Sequence, residues 1–234
     1  MRFFTGDIVP APLRGGWGPD TLSGLGDWLH ELIVAQALPG IWNTLVLTQI
    51  ALVATGMVTL LLFPLISRHF GGPLRRALGH VVLVVTRSTP EYILAYMLLV
   101  LWGPSMLPAI VALALHNGGV IGYLVGRQSN ALTLRDDAPT GVNRYFYELL
   151  PRLYPSFLAF LFYRWEIILR ETAILGILGI HTLGFFVDSA IQEIRFDRAL
   201  VLILVTAFLN MGVDSLSRRL RGRLRLTQAS HCQA

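Results

Sequence analysis

Tyr163-Arg164-Trp165-Glu166-Ile167-Ile168-Leu169-Arg170-Glu171-Thr172-Ala173-Ile174-Leu175-Gly176 decides how this chain folds. Four charged residues stand inside a segment otherwise apolar enough to cross a membrane. A charge near a bilayer centre costs about 3 kcal/mol on insertion scales, so such residues face a helix bundle or a water-filled path rather than lipid. Upstream lies Arg135-Asp136-Asp137-Ala138-Pro139-Thr140-Gly141, then an amphipathic run ending at Leu149-Leu150-Pro151. A polar helical loop feeding a charged transmembrane helix points to transport driven from the cytoplasmic side.

Composition agrees with a membrane setting. Apolar residues make up 54% of the 234 and charged residues 14%, against about 25% charged in soluble domains; mean hydropathy is +0.59. All 19 basic residues are arginine, which serves as well as lysine for orienting spans. The net charge of +5 does not imply nucleic-acid binding, because the arginines cluster in short loops between apolar spans. The single cysteine, Cys232, offers neither a disulfide framework nor a thiolate metal site. Residues 1–22 lack the apolar core and small-residue cleavage site of a signal peptide.

Five segments reach the roughly 20 apolar residues that a spanning helix needs: Ile41–Ile66, Ala77–Leu101, Pro104–Gly126, Leu153–Ile180 and Ala199–Ser217. Pro90 removes a backbone donor from the second and is expected to kink it. Leu25–Leu38 carries Asp27, His30 and Glu31 and reads as an interfacial helix. Domains follow as an external or interfacial segment over 1–40, a membrane domain over 41–217 and an arginine-rich tail over 218–234. Twelve loop and tail arginines fall on one side of alternating spans, among them Arg68, Arg127, Arg152 and Arg218. Four fall opposite: Arg2, Arg14, Arg195 and Arg198. That bias predicts an external N-terminus, a cytoplasmic tail and a cytoplasmic loop over 127–152. In the loop, Val142, Tyr145, Phe146, Leu149 and Leu150 fall at helical spacing, with Asn143, Arg144, Tyr147 and Glu148 on the other face. Asp136, Asp137 and Pro139 suit a helix start, and Pro151 and Pro155 a return to the membrane. Such a helix either docks on a soluble partner or lies on lipid headgroups.

Several runs in order resemble the phosphonate-type permeases of ABC importers: Arg87-Ser88-Thr89-Pro90-Glu91, Ala112-Leu113-Ala114-Leu115-His116-Asn117-Gly118-Gly119-Val120-Ile121-Gly122, Leu149-Leu150-Pro151, and Tyr163-Arg164-Trp165-Glu166 with Arg170 and Leu175-Gly176. The resemblance spans about Asn43 to Arg221. It implies an all-α integral membrane protein with the five-helix core of a type I importer permease, in the bacterial inner membrane. It implies a second permease copy, identical or a paralogue, two ATP-binding cassette subunits that hold ATP and Mg, and a periplasmic protein delivering a phosphorus oxyanion. By the same resemblance, Asp136, Asp137, Ala138, Gly141, Tyr145 and Leu149 are the coupling segment, although Gly141 precedes Pro151 by ten residues where the family has about thirteen. Gly176, Gly179, His181 and Gly184 stand at the family's outer gate.

Arg87 and Glu91, and Glu166 and Arg170, are each four residues apart, hence neighbours on a helix. They read either as neutralising ion pairs or, with Arg164, as the lining of an anion path, where guanidinium forks suit phosphorus oxyanions. His116 and Asn117 read either as packing hydrogen bonds or as neutral donors to that path. An intramembrane enzyme is disfavoured, since neither H-E-x-x-H nor G-x-S-x-G occurs. A phosphate-cradling loop ending in Gly-Lys is excluded by the lack of lysine.

Overall fold

The computed structural model describes residues 8–15 and 19–231, with the backbone alone at 15, 19, 20 and 224–231; Arg2 and Cys232 lie outside the described residues. Every regular element among them is helical. Eight α-helices follow in order: α1 Pro19–Leu32, α2 Leu38–Ile66, α3 Pro73–Ser88, α4 Glu91–Trp102, α5 Leu107–Ala131, α6 Leu150–Leu175, α7 Leu183–Gln192 and α8 Phe196–His231. Three stretches are long and apolar enough to span alone: Thr21–Ile66, α5 and the α8 segment Phe196–Arg223. The count reaches five when two bent pairs are each taken as one span: α3 with α4, and Arg144–Leu178 with α7.

The expected interfacial helix is not a separate element. α1 runs through a π-helical turn, Ile33–Ala37, straight into α2, giving one helix of 46 residues. At 1.5 Å per residue that is roughly 69 Å, more than twice a bilayer's hydrocarbon thickness of about 30 Å. The second span is broken rather than kinked. Thr89 and Pro90 both take extended backbone, as steric conflict with a proline ring requires of its predecessor, and α3 meets α4 at 87°.

α5 packs along α2 through small residues. Thr44, Thr48, Thr55 and Thr59 form a buried stripe on α2, and Thr44 and Thr48 return their hydroxyls to carbonyls one turn back at 2.7 and 2.6 Å. Gly118, Gly122 and Gly126 face it from α5. A Cβ on Gly126 would sit 3.2 Å from the Phe63 carbonyl oxygen, and one on Gly118 3.3 Å from that of Thr55. Backbones approach this closely in membrane proteins where small residues let van der Waals packing replace a hydrophobic drive. Phe63, Ile121, Val125, Leu149, Leu153 and Phe157 form a cluster at the end that carries the 127–152 loop, called here the loop end. At the opposite end Leu32, Ala37, Ala190, Ala199 and Leu202 join α1, α7 and α8.

Candidate functional site

The break at Pro90 sets the site's geometry. It exposes the Thr89 carbonyl, which no α-helical amide can reach, and His116 on α5 donates to it from Nδ1 at 3.0 Å. Because a carbonyl only accepts, that ring nitrogen carries the proton. The Glu91 carboxylate, at the start of α4, stands 3.8 Å from the same nitrogen. One position along α5, Asn117 has no solvent exposure. Its amide nitrogen donates to the Leu113 carbonyl at 3.0 Å and to Glu171 Oε2 on α6 at 2.9 Å, while its Oδ1 is buried without a partner. Glu171 is 8% exposed and within electrostatic reach of Glu91, Arg164 and His116. One polar cluster therefore joins α4, α5 and α6 in mid-bundle.

Arg87 and Glu91 do not pair, because the intervening break removes the helical register their spacing requires. Arg87 instead lies over the Tyr123 ring, 4.2 Å from its centroid. Glu166 and Arg170 do pair, at 2.7 Å, but Arg170 remains 56% exposed and Glu166 24%; they lie on the surface of a single chain, and Glu171 takes the buried place. His116 and Asn117 make packing hydrogen bonds in this arrangement. The N–H of His116 goes to Thr89, and both amide hydrogens of Asn117 go to Leu113 and Glu171. Of the arginines expected on the path, Arg87 and Arg164 make no salt bridge among the described residues, and Arg164 lies within electrostatic reach of the Glu171 carboxylate. Glu171 stands in the same charged stretch, but no basic residue follows it at helical spacing, so the sequence pattern does not mark it as the buried carboxylate.

The 127–152 loop also departs from expectation. Asp136 and Asp137 form a turn closed by Ala138 N–H donating to the Arg135 carbonyl at 3.1 Å. Helix begins only after Gly141, whose φ of +64° lies in the left-handed region that suits glycine. From Arg144 to Leu149 it winds as a π-helix and continues into α6 without a break; neither Pro151 nor Pro155 interrupts it. Tyr145 points inward, donating to the Leu60 carbonyl at 3.0 Å and stacking on Phe63 with centroids 5.3 Å apart; Leu149 is fully buried. Outward face Val142, Phe146 and Tyr147, from 54 to 75% exposed. Glu148, placed on the polar face by α-helical spacing, is buried and holds Arg152 at 2.8 Å and Arg135 at 3.2 Å. Burial pushes its carboxyl up, but the Arg152 hydrogen bond and the Arg135 contacts outweigh that and hold it below its ordinary value.

The glycines expected at an outer gate shape the turn between α6 and α7. A 3-10 turn, Gly176–Leu178, ends at Gly179 with φ of +87°, and a Cβ on Gly184 would collide with the Ala173 carbonyl. His181 packs its ring on Phe185, with centroids 4.4 Å apart, and its carbonyl accepts from Asn43 at 2.8 Å. No group of three or more potential metal ligands occurs among the described residues.

No protein-family model matches the chain. It is similar to the phosphate-import permease protein PhnE of Mycolicibacterium smegmatis, with 31% identity over 159 residues, 64% of this chain but only 29% of that protein's length. The phosphite transport system permease protein PtxC of Stutzerimonas stutzeri is 27% identical over 222 residues, covering 90% of this chain and 76% of the relative. A protein of Escherichia coli K12 named as a cryptic phosphonate transport system permease, PhnE2, is 30% identical over 121 residues, 48% of this chain and 97% of its own. Among solved structures, an amino acid ABC transporter crystallised with histidines shares the fold: TM-score 0.65, 16% identity, covering 88% of this chain and all of that one. Almost the whole of a 30%-identical phosphonate permease aligns with this chain, and the bundle shares the fold of an ABC transporter chain, so the chain belongs to the phosphonate-type permease family of ABC importers, multi-pass membrane proteins that transport rather than catalyse.

Proposed function

We propose that this chain forms the pore of an ATP-driven importer of a small phosphorus oxyanion. Two permease copies are joined by two ATPase subunits on the cytoplasmic side and by a binding protein outside, with ATP and Mg held by the ATPases. The N-terminus lies outside and the C-terminal tail in the cytoplasm. The observation that carries this reading is the conjunction of two arginines of the bundle outside any salt bridge among the described residues, Arg87 and Arg164, with relatives named for phosphate, phosphite and phosphonate. Guanidinium groups outside a salt bridge suit an anion that must be held weakly and released. Supporting the orientation, the arginine excess gathers at the loop end, as the positive-inside bias requires. The 136–150 segment couples to the ATPase through its outward residues Val142, Phe146 and Tyr147, with Tyr145 and Leu149 anchoring it to the bundle. The turn built on Gly176, Gly179, His181 and Gly184 serves as the outer gate.

The test is uptake of labelled methylphosphonate, phosphite, phosphate and an uncharged amino acid into vesicles holding the reconstituted complex. ATP-dependent uptake of at least one phosphorus oxyanion and none of the amino acid is expected. Uptake of the amino acid alone overturns the substrate class while leaving the permease fold untouched.

A further inference from the structure

α5, α6 and α8 leave a groove of about 690 Å³ near the loop end. Leu124, Ala159 and Phe160 wall it with hydrocarbon, and Tyr163, Arg218 and Arg221 supply its polar groups. Its two guanidiniums differ in their partners. Arg218 is neutralised by Asp214, one turn back on α8. Arg221 makes no ion pair among the described residues, and its guanidinium lies 5.3 Å from the centroid of the Tyr163 ring. The direction of that side chain matters. Ser217 on α8 donates its hydroxyl to the Phe162 carbonyl, which sets Phe162 and Ser217 at one level in the bundle. Arg221 is a further turn toward the loop end, yet its guanidinium reaches back to Tyr163. A membrane arginine near a helix end ordinarily extends outward toward headgroups and water; this one turns into the groove.

We propose that the groove binds an anionic phospholipid, its phosphate on Arg221 and Arg218 and an acyl chain along Leu124, Ala159 and Phe160. Free phosphate or phosphonate would leave those walls unsatisfied, whereas an amphiphile uses both surfaces. Basic pockets between transmembrane helices suit anionic headgroups, and 690 Å³ lies within the size of ordinary small-molecule sites. Tyr163 provides a platform that holds the Arg221 guanidinium by cation–π attraction. The inference rests on membrane insertion alone and not on which solute is imported.

The experiment takes the full-length permease, purified with its partner subunits, stripped of lipid and then given phosphatidylglycerol or phosphatidylcholine with identical chains, and reads retained lipid by native mass spectrometry. Phosphatidylglycerol is expected to be retained about fivefold or more over phosphatidylcholine, the factor per arginine near a membrane surface. Arg221→Gln should remove that preference, and Arg219→Gln, which deletes the same charge outside the groove, should keep it. Ala159→Phe fills the groove without touching a charge and should lower retention in its own right, which covers the case of an unstable Arg221 variant. Equal retention of the two lipids overturns the proposal, and so do equal losses in the Arg219 and Arg221 variants. Unchanged retention in Ala159→Phe also overturns it. Displacement of the lipid by free methylphosphonate would assign the groove to the solute path instead, and cross-linking between cysteines placed at Ala159 in two copies would assign it to a permease dimer.

Discussion

Asn117 has two amide hydrogens and one carbonyl oxygen to place where no water reaches, and it gives one hydrogen to the Leu113 carbonyl, one turn back in α5, and the other to the buried Glu171 carboxylate. A buried acceptor left without its donor costs about 1–3 kcal/mol, more if charged. Asn117→Leu should therefore lower thermal stability by at least that much, read as the monodisperse fraction surviving a heat ramp, and Glu171→Gln in the same chain should recover most of the loss. Failure of the second substitution to rescue would mean that Asn117 acts through its packing against Leu113 rather than through Glu171. Arg170 makes the contrasting case. It is more than half exposed and pairs only within its own helix, and its long stem can carry the guanidinium to the boundary near the end of α6. Arg170→Ala should cost less than Asn117→Leu in the same assay; a larger loss would indicate that a second copy covers this face.

The π-helical turn over Arg144–Leu149 governs what the loop presents. Residues that α-helical spacing sets on one face are redistributed by an i to i+5 ladder, so Glu148 turns in and Phe146 and Tyr147 turn out. Because its two arginines hold the Glu148 carboxyl below its ordinary 4.5, the proton binds more weakly in the folded loop than in an unfolded one. The stabilisation is then full above that ordinary range and is lost as pH falls through the lowered folded value. Protection of the amides across 135–149, taken against the intrinsic exchange rate at each pH, should fall on acidification into and below the carboxylate range in the wild type. In Glu148→Gln that protection should be low at neutrality and nearly flat with pH. Phe146→Asp with Tyr147→Asp should leave the loop folded yet uncouple ATP hydrolysis from uptake, whereas Tyr145→Phe, losing one hydrogen bond, should cost about 0.5–1.5 kcal/mol of stability with coupling intact. Hydropathy and proline placement made the spans and the Pro90 interruption legible in the sequence, because both follow from local chemistry. The inward turn of Tyr145 and Glu148, the merger of α1 into α2 and the Glu171–Asn117 bond were not legible. Each depends on winding or on a partner more than fifty residues away, which spacing along one helix does not encode.

At the scale of the whole molecule, Arg87 and Arg164 lie on different helices and have different supports. Arg87 ends α3 and rests on Tyr123 of α5. Arg164 sits in α6, within electrostatic reach of Glu171. If the bundle carries an anion between them, the transport rate depends on their charge more steeply than the fold does, since a cation–π contact contributes about 0.5–2 kcal/mol while an anion crossing hydrocarbon without a counter-charge meets a far larger barrier. No compensating change at Glu91 is needed with Arg87→Gln, because that carboxylate stands beside His116 and not beside Arg87. Arg87→Gln and Arg164→Gln should each reduce uptake of labelled phosphonate, normalised to assembled complex, by about tenfold or more, the factor matching 1.4 kcal/mol of lost charge stabilisation. Assembly should change by less than about twofold. Arg87→Lys should recover part of the rate by restoring the charge without the fork. Rates that fall only in proportion to assembly in both Gln variants would make these arginines packing residues, and the anion path would then have to be sought on a face that a second copy of the chain completes.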